Sequence, residues 1–302
     1  MDKIIVLMSA YKGKKYINDQ LNSILNQKKV DVEILIRVDG SPDDTYQYIQ
    51  EIASKQPKIK VYEGENLRSA KSFLNLVQCA PENEYYAFSD QDDIWDEDKL
   101  YVALKHIKGY PADKPNMYYS NLRVVDSNLK TIRSFHSSSF EGENKYNILI
   151  DNMAAGCTMV FNRKAAELAV RKIPEYCLMH DAWIHLVCAF FGNVYYDKRP
   201  HISYRQHEDN VVGASKLDFD TVKDKFTRLF DNSVQPRKML SKEFLNCYRD
   251  MLSEKEKREL SKLANYQRSI KDKMSLLFDK TIKAPNSRRN IVYKFLILLN
   301  KA

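Results

Sequence analysis

Cysteine pairs, long apolar runs and repeats are what this chain is short of, and each shortage narrows what it can be. Its five cysteines, Cys79, Cys157, Cys177, Cys188 and Cys247, are odd in number, scattered, and contain no C-x-x-C pair. That spacing argues against a disulfide framework and for ordinary buried thiols in a reducing compartment. The opening MDKIIVLMSAY has a short apolar run without a signal-peptide cleavage pattern. The longest late apolar run, 291–299, is interrupted by Lys294 and falls far below the roughly 20 residues that cross a bilayer. A cytoplasmic protein is therefore expected. The basic stretches lack interleaved base-stacking aromatics, so nucleic acid is not an expected partner.

What is present is enough apolar residue, 44% of 302, to bury one large or two modest cores. The net charge of +8 is unevenly spread. Residues 1–215 carry 27 Lys/Arg against 29 Asp/Glu, whereas residues 216–302 carry 21 against 11. Two regions are expected on that basis: an α/β domain over 1–215 and a basic helical region over 216–302.

Strand-like and helical segments alternate from the start. KIIVLMS (Lys3 to Ser9) reads as a buried strand, followed by Ile17, Leu21, Ile24 and Leu25 at helical spacing. VEILIRV (Val32 to Val38), Ile59 to Tyr62 and Tyr85 to Ser89 read as further strands. Helices are expected around Tyr46 to Ile52, Ser69 to Val77 and Asp96 to Ile107. This order predicts a mostly parallel sheet covered on both faces. Beyond Pro115 a hairpin turning at Asp126-Ser127-Asn128, a strand GCTMVFN, an apolar helix HDAWIHLVCAFFG and strands NVYYD and HISYRQH follow. Past Lys216 the chain reads as long helices, with Leu260, Leu263, Tyr266, Ile270, Met274 and Leu277 stepping by three or four.

In parallel sheets ligands collect at the carboxyl ends of strands. The stretches ending three of these strands, SAY (Ser9, Ala10, Tyr11), DGS (Asp39, Gly40, Ser41) and SDQDD (Ser89 to Asp93), should converge on one crevice. Three aspartates within four residues, Asp90, Asp92 and Asp93, repel one another unless a cation sits among them. Carboxylate oxygens suit Mg²⁺ or Mn²⁺, and such an ion can bridge to a diphosphate. The plainer alternative is a helix start, with Asp92 or Asp93 capping and Asp96 and Glu97 in the first turn.

The strings MSAYKGKKYINDQLNSIL, IRVDGSPDDT, NLRSAKSF, FSDQDDIWDEDKL, GCTMVFN, LMHDAWI and YRQHEDNVVGA, in that order, resemble the family 2 glycosyltransferases of the GT-A fold. The bacterial rhamnosyltransferase-type members that build surface polysaccharides are the nearest in character. The resemblance implies that Asp39 holds the pyrimidine of a nucleotide-sugar donor while Ser9, Ala10, Tyr11 and Ser41 line the nucleoside pocket. It further implies Arg68, Lys71, Asp90 and Gln91 on the donor side, and a metal on Asp90 and Asp92 within reach of His207. Asp181 matches the base that activates the acceptor hydroxyl, with Trp95, Gly156 and Trp183 on the acceptor side. Two departures stand out: Val38 replaces the first of two common aspartates, and Arg68 stands where glycine is usual.

Each residue has a plainer alternative. Asp181 can cap the helix from His180; His207 can be a surface histidine; both tryptophans can be core. Cys177, His180, His185 and Cys188 lack the spacing of a structural zinc site. The implied reaction is inverting transfer of rhamnose, with glucose, galactose or an N-acetylhexosamine as alternatives, onto a glycan or lipid-linked glycan or onto a glycoprotein glycan. A catalytically silent glycan-binding protein would be expected to lack one of Asp39, Asp92 and Asp181, and all are present. The tail SRRNIVYKFLILLNK, with Arg288, Arg289 and Lys294 beside Ile291, Val292, Phe295, Leu296 and Leu298, is expected to lie on the inner face of the cell membrane. Otherwise it packs on the core with a solvated basic side.

Overall fold

The apolar run near the start of the chain becomes the middle of a sheet. In the computed structural model, which describes residues 1–137, 140, 142, 144–206 and 235–302, strand β1 (Asp2–Ala10) is flanked by two parallel partners, β2 (Val30–Asp39) and β4 (Tyr85–Ser89). Strand β3 (Ile59–Gly64) adds parallel to β2. Ile4, Ile5, Val6, Leu7 and Met8 are all buried, because an interior parallel strand is covered on both faces and needs an unbroken apolar run. Helices α1 (Ile17–Leu25), α2 (Thr45–Lys55) and α3 (Arg68–Cys79) make the crossovers, close to the expected bounds.

The sheet continues with mixed directions. Strand β8 (Val160–Asn162) runs antiparallel to β4, β6 (Asn116–Val125) antiparallel to β8, β9 (Asn193–Arg205) parallel to β6, and β5 (Ile94–Trp95) antiparallel to β9. The order is β3-β2-β1-β4-β8-β6-β9-β5, with β7 (Thr131–Ser134) on β6 as the expected hairpin. NVYYD and HISYR are one strand rather than two. Its register with β6 jumps from Ser120↔Asp197 to Asn121↔Pro200, and the extra residues are held where the Asp197 carboxylate accepts from Arg199 N at 2.9 Å. Helices α4 (Lys99–Ile107), α6 (Arg163–Val170) and α7 (His180–Phe191) pack around this half.

The described residues divide into two units. The first contains Met1–Gly142, Ala154–Lys172 and 179–206; the second contains 144–153, Ile173–Leu178 and 235–302. The boundary expected near 215 lies outside the described residues, as does His207. Two short segments from within the expected first domain belong to the second unit. There α5 (Lys145–Ile150) joins α8 (Pro236–Tyr248), α9 (Glu254–Asn265), α10 (Ile270–Phe278) and α11 (Ser287–Leu298). Asn147 Nδ2 donates to Lys283 O at 2.7 Å and Arg237 Nε to Ile150 O at 2.8 Å, while Lys145 pairs with Glu256 and Arg289 with Asp151.

The residues stepping from Leu260 to Leu277 span two helices. The chain breaks at Ser269, whose hydroxyl caps α10 by accepting from Asp272 N at 3.1 Å. Leu260, Leu263 and Tyr266 are buried, but Ile270 and Met274 are exposed. Among the described residues no helix is long and apolar enough to cross a membrane.

Candidate active site

The three strand-end loops meet through direct hydrogen bonds. The Gln91 side chain accepts from Tyr11 N and donates to Tyr11 O, both at 2.9 Å, locking the loop after β4 to the loop after β1. Lys12 N donates to Ser41 Oγ at 2.9 Å and Gly13 N to Thr45 Oγ1 at 3.1 Å, joining the loop after β2. Gly40 has φ +59°, and a Cβ there would come within 2.6 Å of Asn66 N, so the turn after Asp39 takes glycine.

Asp39 is fixed from behind by a residue that the motif reading did not single out. Arg37, 2% exposed, pairs with the Asp39 carboxylate and donates to Ser72 Oγ at 3.1 Å, Asn75 Oδ1 at 3.1 Å and Glu65 O at 2.7 Å. Leu67 N also donates to Asp39 Oδ1, at 2.9 Å. Removing one partner of such a buried pair costs about 3–5 kcal/mol, because the other charge is left uncompensated. An arginine inside the otherwise apolar run VEILIRVD was the sequence signal for it. Ser9 Oγ lies 2.6 Å from Ser72 Oγ, on the edge of the same network, and Ala10 is buried at the end of β1.

The acidic cluster is not a helix cap. Helix α4 begins at Lys99, with Asp98 at its N-cap and β5 between it and the cluster. Oxygens of Asp90 and Asp93 and Cys157 Sγ lie within 4.8 Å of one another. Burial pushes Asp90 up to about 7, helped by the Asp92 and Asp181 charges and opposed by a hydrogen bond from Cys157. Burial also raises Asp93 well above the carboxylate range, with Asp92 and then Asp90 adding to it. Asp93 Oδ2 is buried without a hydrogen-bond partner. Three crowded carboxylates with an orphaned oxygen fit a hard divalent cation. The Cys157 thiol, pushed upward by burial, stays protonated and leaves the oxygens as the donors.

Arg205, from the YRQH string, pins this loop. Its backbone N donates to Asp93 Oδ1 at 3.2 Å, Nε to Asp92 O at 3.0 Å and Nη2 to Asp19 Oδ2 at 3.3 Å. Lys99 is fully buried, with Nζ 3.3 Å from the Trp95 ring centroid, and burial pushes its pKa down to about 7. A second cluster, Asp96, Asp98 and His201, is already neutralised in part, since Asp96 pairs with Arg123.

Asp181 reaches this cleft from a distant part of the chain. It lies in the first turn of α7, but the N-cap position is Met179 and no side chain caps the helix there. A 3-10 turn, Gly156–Thr158, connects the two regions. A Cβ on Gly156 would lie 2.6 Å from His180 Nε2 and 3.4 Å from Asp181 Cβ, while the next residue, Cys157, touches the acids. His180 fills the space beneath, stacked on Phe73 at 3.8 Å and edge-on to Phe88 at 4.7 Å. Burial lowers its pKa to about 3, so it is neutral.

Two expected acceptor residues are interior ones. Trp183 is fully buried, with Nε1 donating to Ala169 O at 3.0 Å, and Trp95 is 3% exposed beneath Lys99. Helix α7 is apolar nearly all round, so its tryptophan packs inward. Arg68 and Lys71 are exposed on the first turn of α3. Arg68 has φ +62°, a left-handed conformation that explains why glycine is usual there. Asp151, another carboxylate to consider as a base, is committed to Arg289.

The chain belongs to glycosyl transferase family 2, whose model matches residues 5–168. It is a glycosyltransferase. Among particular relatives, the dTDP-rhamnosyl transferase RfbG of Shigella flexneri is 30% identical over 223 residues, 69% of this chain and 74% of its own. The Escherichia coli protein WfgD, a UDP-Glc:alpha-D-GlcNAc-diphosphoundecaprenol beta-1,3-glucosyltransferase, is 25% identical over 161 residues, 53% of this chain and 60% of its own. The crystal structure of S. aureus TarS 1–349 superposes with a TM-score of 0.59 at 16% identity, over 92% of this chain and 76% of that one. The expected GT-A-type α/β fold is thereby shown.

Proposed function

We propose that the protein moves a sugar from a nucleotide-sugar donor to a hydroxyl of a growing surface glycan, with inversion at the anomeric carbon. The observation that carries this reading is that Asp181 packs beside Gly156, whose neighbour Cys157 has its Sγ within 4.8 Å of the Asp90 and Asp93 oxygens. Asp39, oriented by Arg37, receives the pyrimidine ring beside Ser9, Ala10, Tyr11 and Ser41. Gln91, with both ends of its amide committed to Tyr11, acts by fixing that wall. Arg68 and Lys71 face the diphosphate.

Asp90 and Asp92, with Asp93 beside Asp90, would hold Mg²⁺ or Mn²⁺, which when bound offsets the charge that grows on the departing diphosphate. Asp181 accepts the proton of the acceptor hydroxyl as its oxygen bonds to C1, and the C1–O electron pair leaves with the nucleoside diphosphate. A positioned base of this kind contributes about 100-fold to 10,000-fold. Gly156, with no side chain, lets His180 and Asp181 pack against its backbone.

L-Rhamnose from dTDP-rhamnose is the donor we favour, supported by the relative RfbG; the relative WfgD supports UDP-glucose as the second choice. The acceptor is a glycan or lipid-linked glycan, and the basic C-terminal helices bring the protein to the inner membrane face. Purified protein incubated with a panel of nucleotide sugars and a lipid-linked acceptor tests this, with products read by mass spectrometry and anomeric configuration by NMR. Transfer from dTDP-rhamnose with inversion, abolished by chelation, is expected. A retained anomer, or full activity in excess chelator, would contradict the mechanism.

A further inference from the structure

Helix α11 has two apolar faces. One buries Tyr293, Leu296 and Ile297 in the second unit, while the other leaves Ile291 69%, Val292 51%, Phe295 57% and Leu298 53% exposed. A helix apolar all round is normally covered all round. The neighbouring helix α10 repeats the pattern: Leu276 is buried, whereas Ile270, Met274 and Phe278, one row at four-residue spacing, are 83%, 47% and 76% exposed. Lys273 of α10 donates to Leu298 O at 2.8 Å and Asn300 Oδ1 at 3.1 Å, so the two helices lie side by side. Single exposed apolar residues need no explanation, but rows of them on adjacent helices mark an interaction face.

Charge identifies what covers it. Residues 266–302 carry nine Lys or Arg against two Asp. Asp272 falls on the side of α10 opposite Ile270 and Met274 by the helical step, and Asp279 is turned onto Thr281 N and Ile282 N. Lys271, Lys280, Lys283 and Arg288 are exposed around the apolar rows. Two copies of so basic a face repel each other, whereas an anionic lipid surface attracts it and accepts the apolar rows between headgroups. We infer that α10 and α11 together form a bilayer-docking face for anionic lipid, with Ile270, Met274 and Phe278 inserting alongside Val292 and Phe295. This rests on the membrane contact proposed above and assigns it to two helices instead of a basic tail.

Co-sedimentation of the full chain with vesicles tests it, using phosphatidylcholine alone and phosphatidylcholine with phosphatidylglycerol. Wild type is expected to bind the anionic vesicles and to bind the neutral ones weakly. The α10 variant Ile270→Ser/Met274→Ser/Phe278→Ser should lose at least about tenfold in vesicle affinity, with its melting temperature and its transfer to a short soluble acceptor unchanged. Val292→Ser/Phe295→Ser should act in the same direction. Equal binding by wild type and the α10 variant would overturn the two-helix face while leaving the membrane contact standing. No binding by wild type to either vesicle would remove the membrane contact itself. A concentration-dependent dimer that these substitutions abolish, without vesicle binding, would assign the face to a second copy and overturn the inference.

Discussion

Asp90, Asp92 and Asp93 are costly neighbours, and the upward pKa shifts of the first and third show how the cost is met when nothing else meets it. An acid whose folded pKa lies above its unfolded value near 4 holds its proton more tightly when folded, so its stability contribution is present at low pH and lost as pH rises. For Asp90 that window runs upward to about 7. The buried His180, lowered to about 3, acts in the opposite sense, which makes the overall pH profile a poor probe. The increment from added Mn²⁺ isolates the acids, because the ion and the protons compete for the same oxygens. We expect the Mn²⁺-induced rise in melting temperature to be larger at pH 8 than at pH 5.5 and to vanish in Asp90→Asn. An increment independent of pH would place the ion elsewhere. The motif made these carboxylates legible. Arg37, Lys99 and Arg205, which hold the surrounding loops, were less so, because a charged residue in an apolar run announces burial without naming its partner.

At the scale of elements, strands β1 to β4 were legible because continuous apolar runs of that length have one place to go, the interior of a parallel sheet. The start of α4 was not: expected from Asp96, the helix begins at Lys99, since Ile94 and Trp95 pair with β9 and Asp96 is held by His201 O and Arg123. Nor did periodicity say which face of α10 or α11 is covered, as both faces are apolar. Truncation at 286 would strip the buried Tyr293, Leu296 and Ile297, so point changes on the outer face are the informative ones. Helix α3 offers a separate test at its start. Arg68→Gly relieves a left-handed conformation worth about 1–2 kcal/mol but loosens the unfolded chain by about 0.4–1 kcal/mol. Chemical denaturation is therefore expected to show stability equal to or slightly above wild type. Donor affinity, measured by calorimetry, should fall; unchanged affinity would separate Arg68 from the diphosphate.

Over the whole molecule, the order of the stretches SAY, DGS and SDQDD was enough to foresee the mostly parallel half of the sheet, since each ends one of its strands. The two-unit division was harder to see. Residues 144–153 join helices about a hundred positions later in the chain, through pairs such as Lys145 with Glu256 and Asp151 with Arg289, and local pattern carries no trace of such contacts. Asp181 shows the same separation put to use: a residue 91 positions beyond Asp90 lies beside Gly156, whose neighbour Cys157 touches the acids. The central claim is that this carboxylate takes the acceptor proton. Single-turnover transfer by Asp181→Asn, measured at saturating donor alongside donor affinity and melting temperature, tests it most directly. The account predicts a rate lowered by at least about 100-fold, with donor binding and melting temperature unchanged; a variant that transfers sugar within a few-fold of wild type would contradict it.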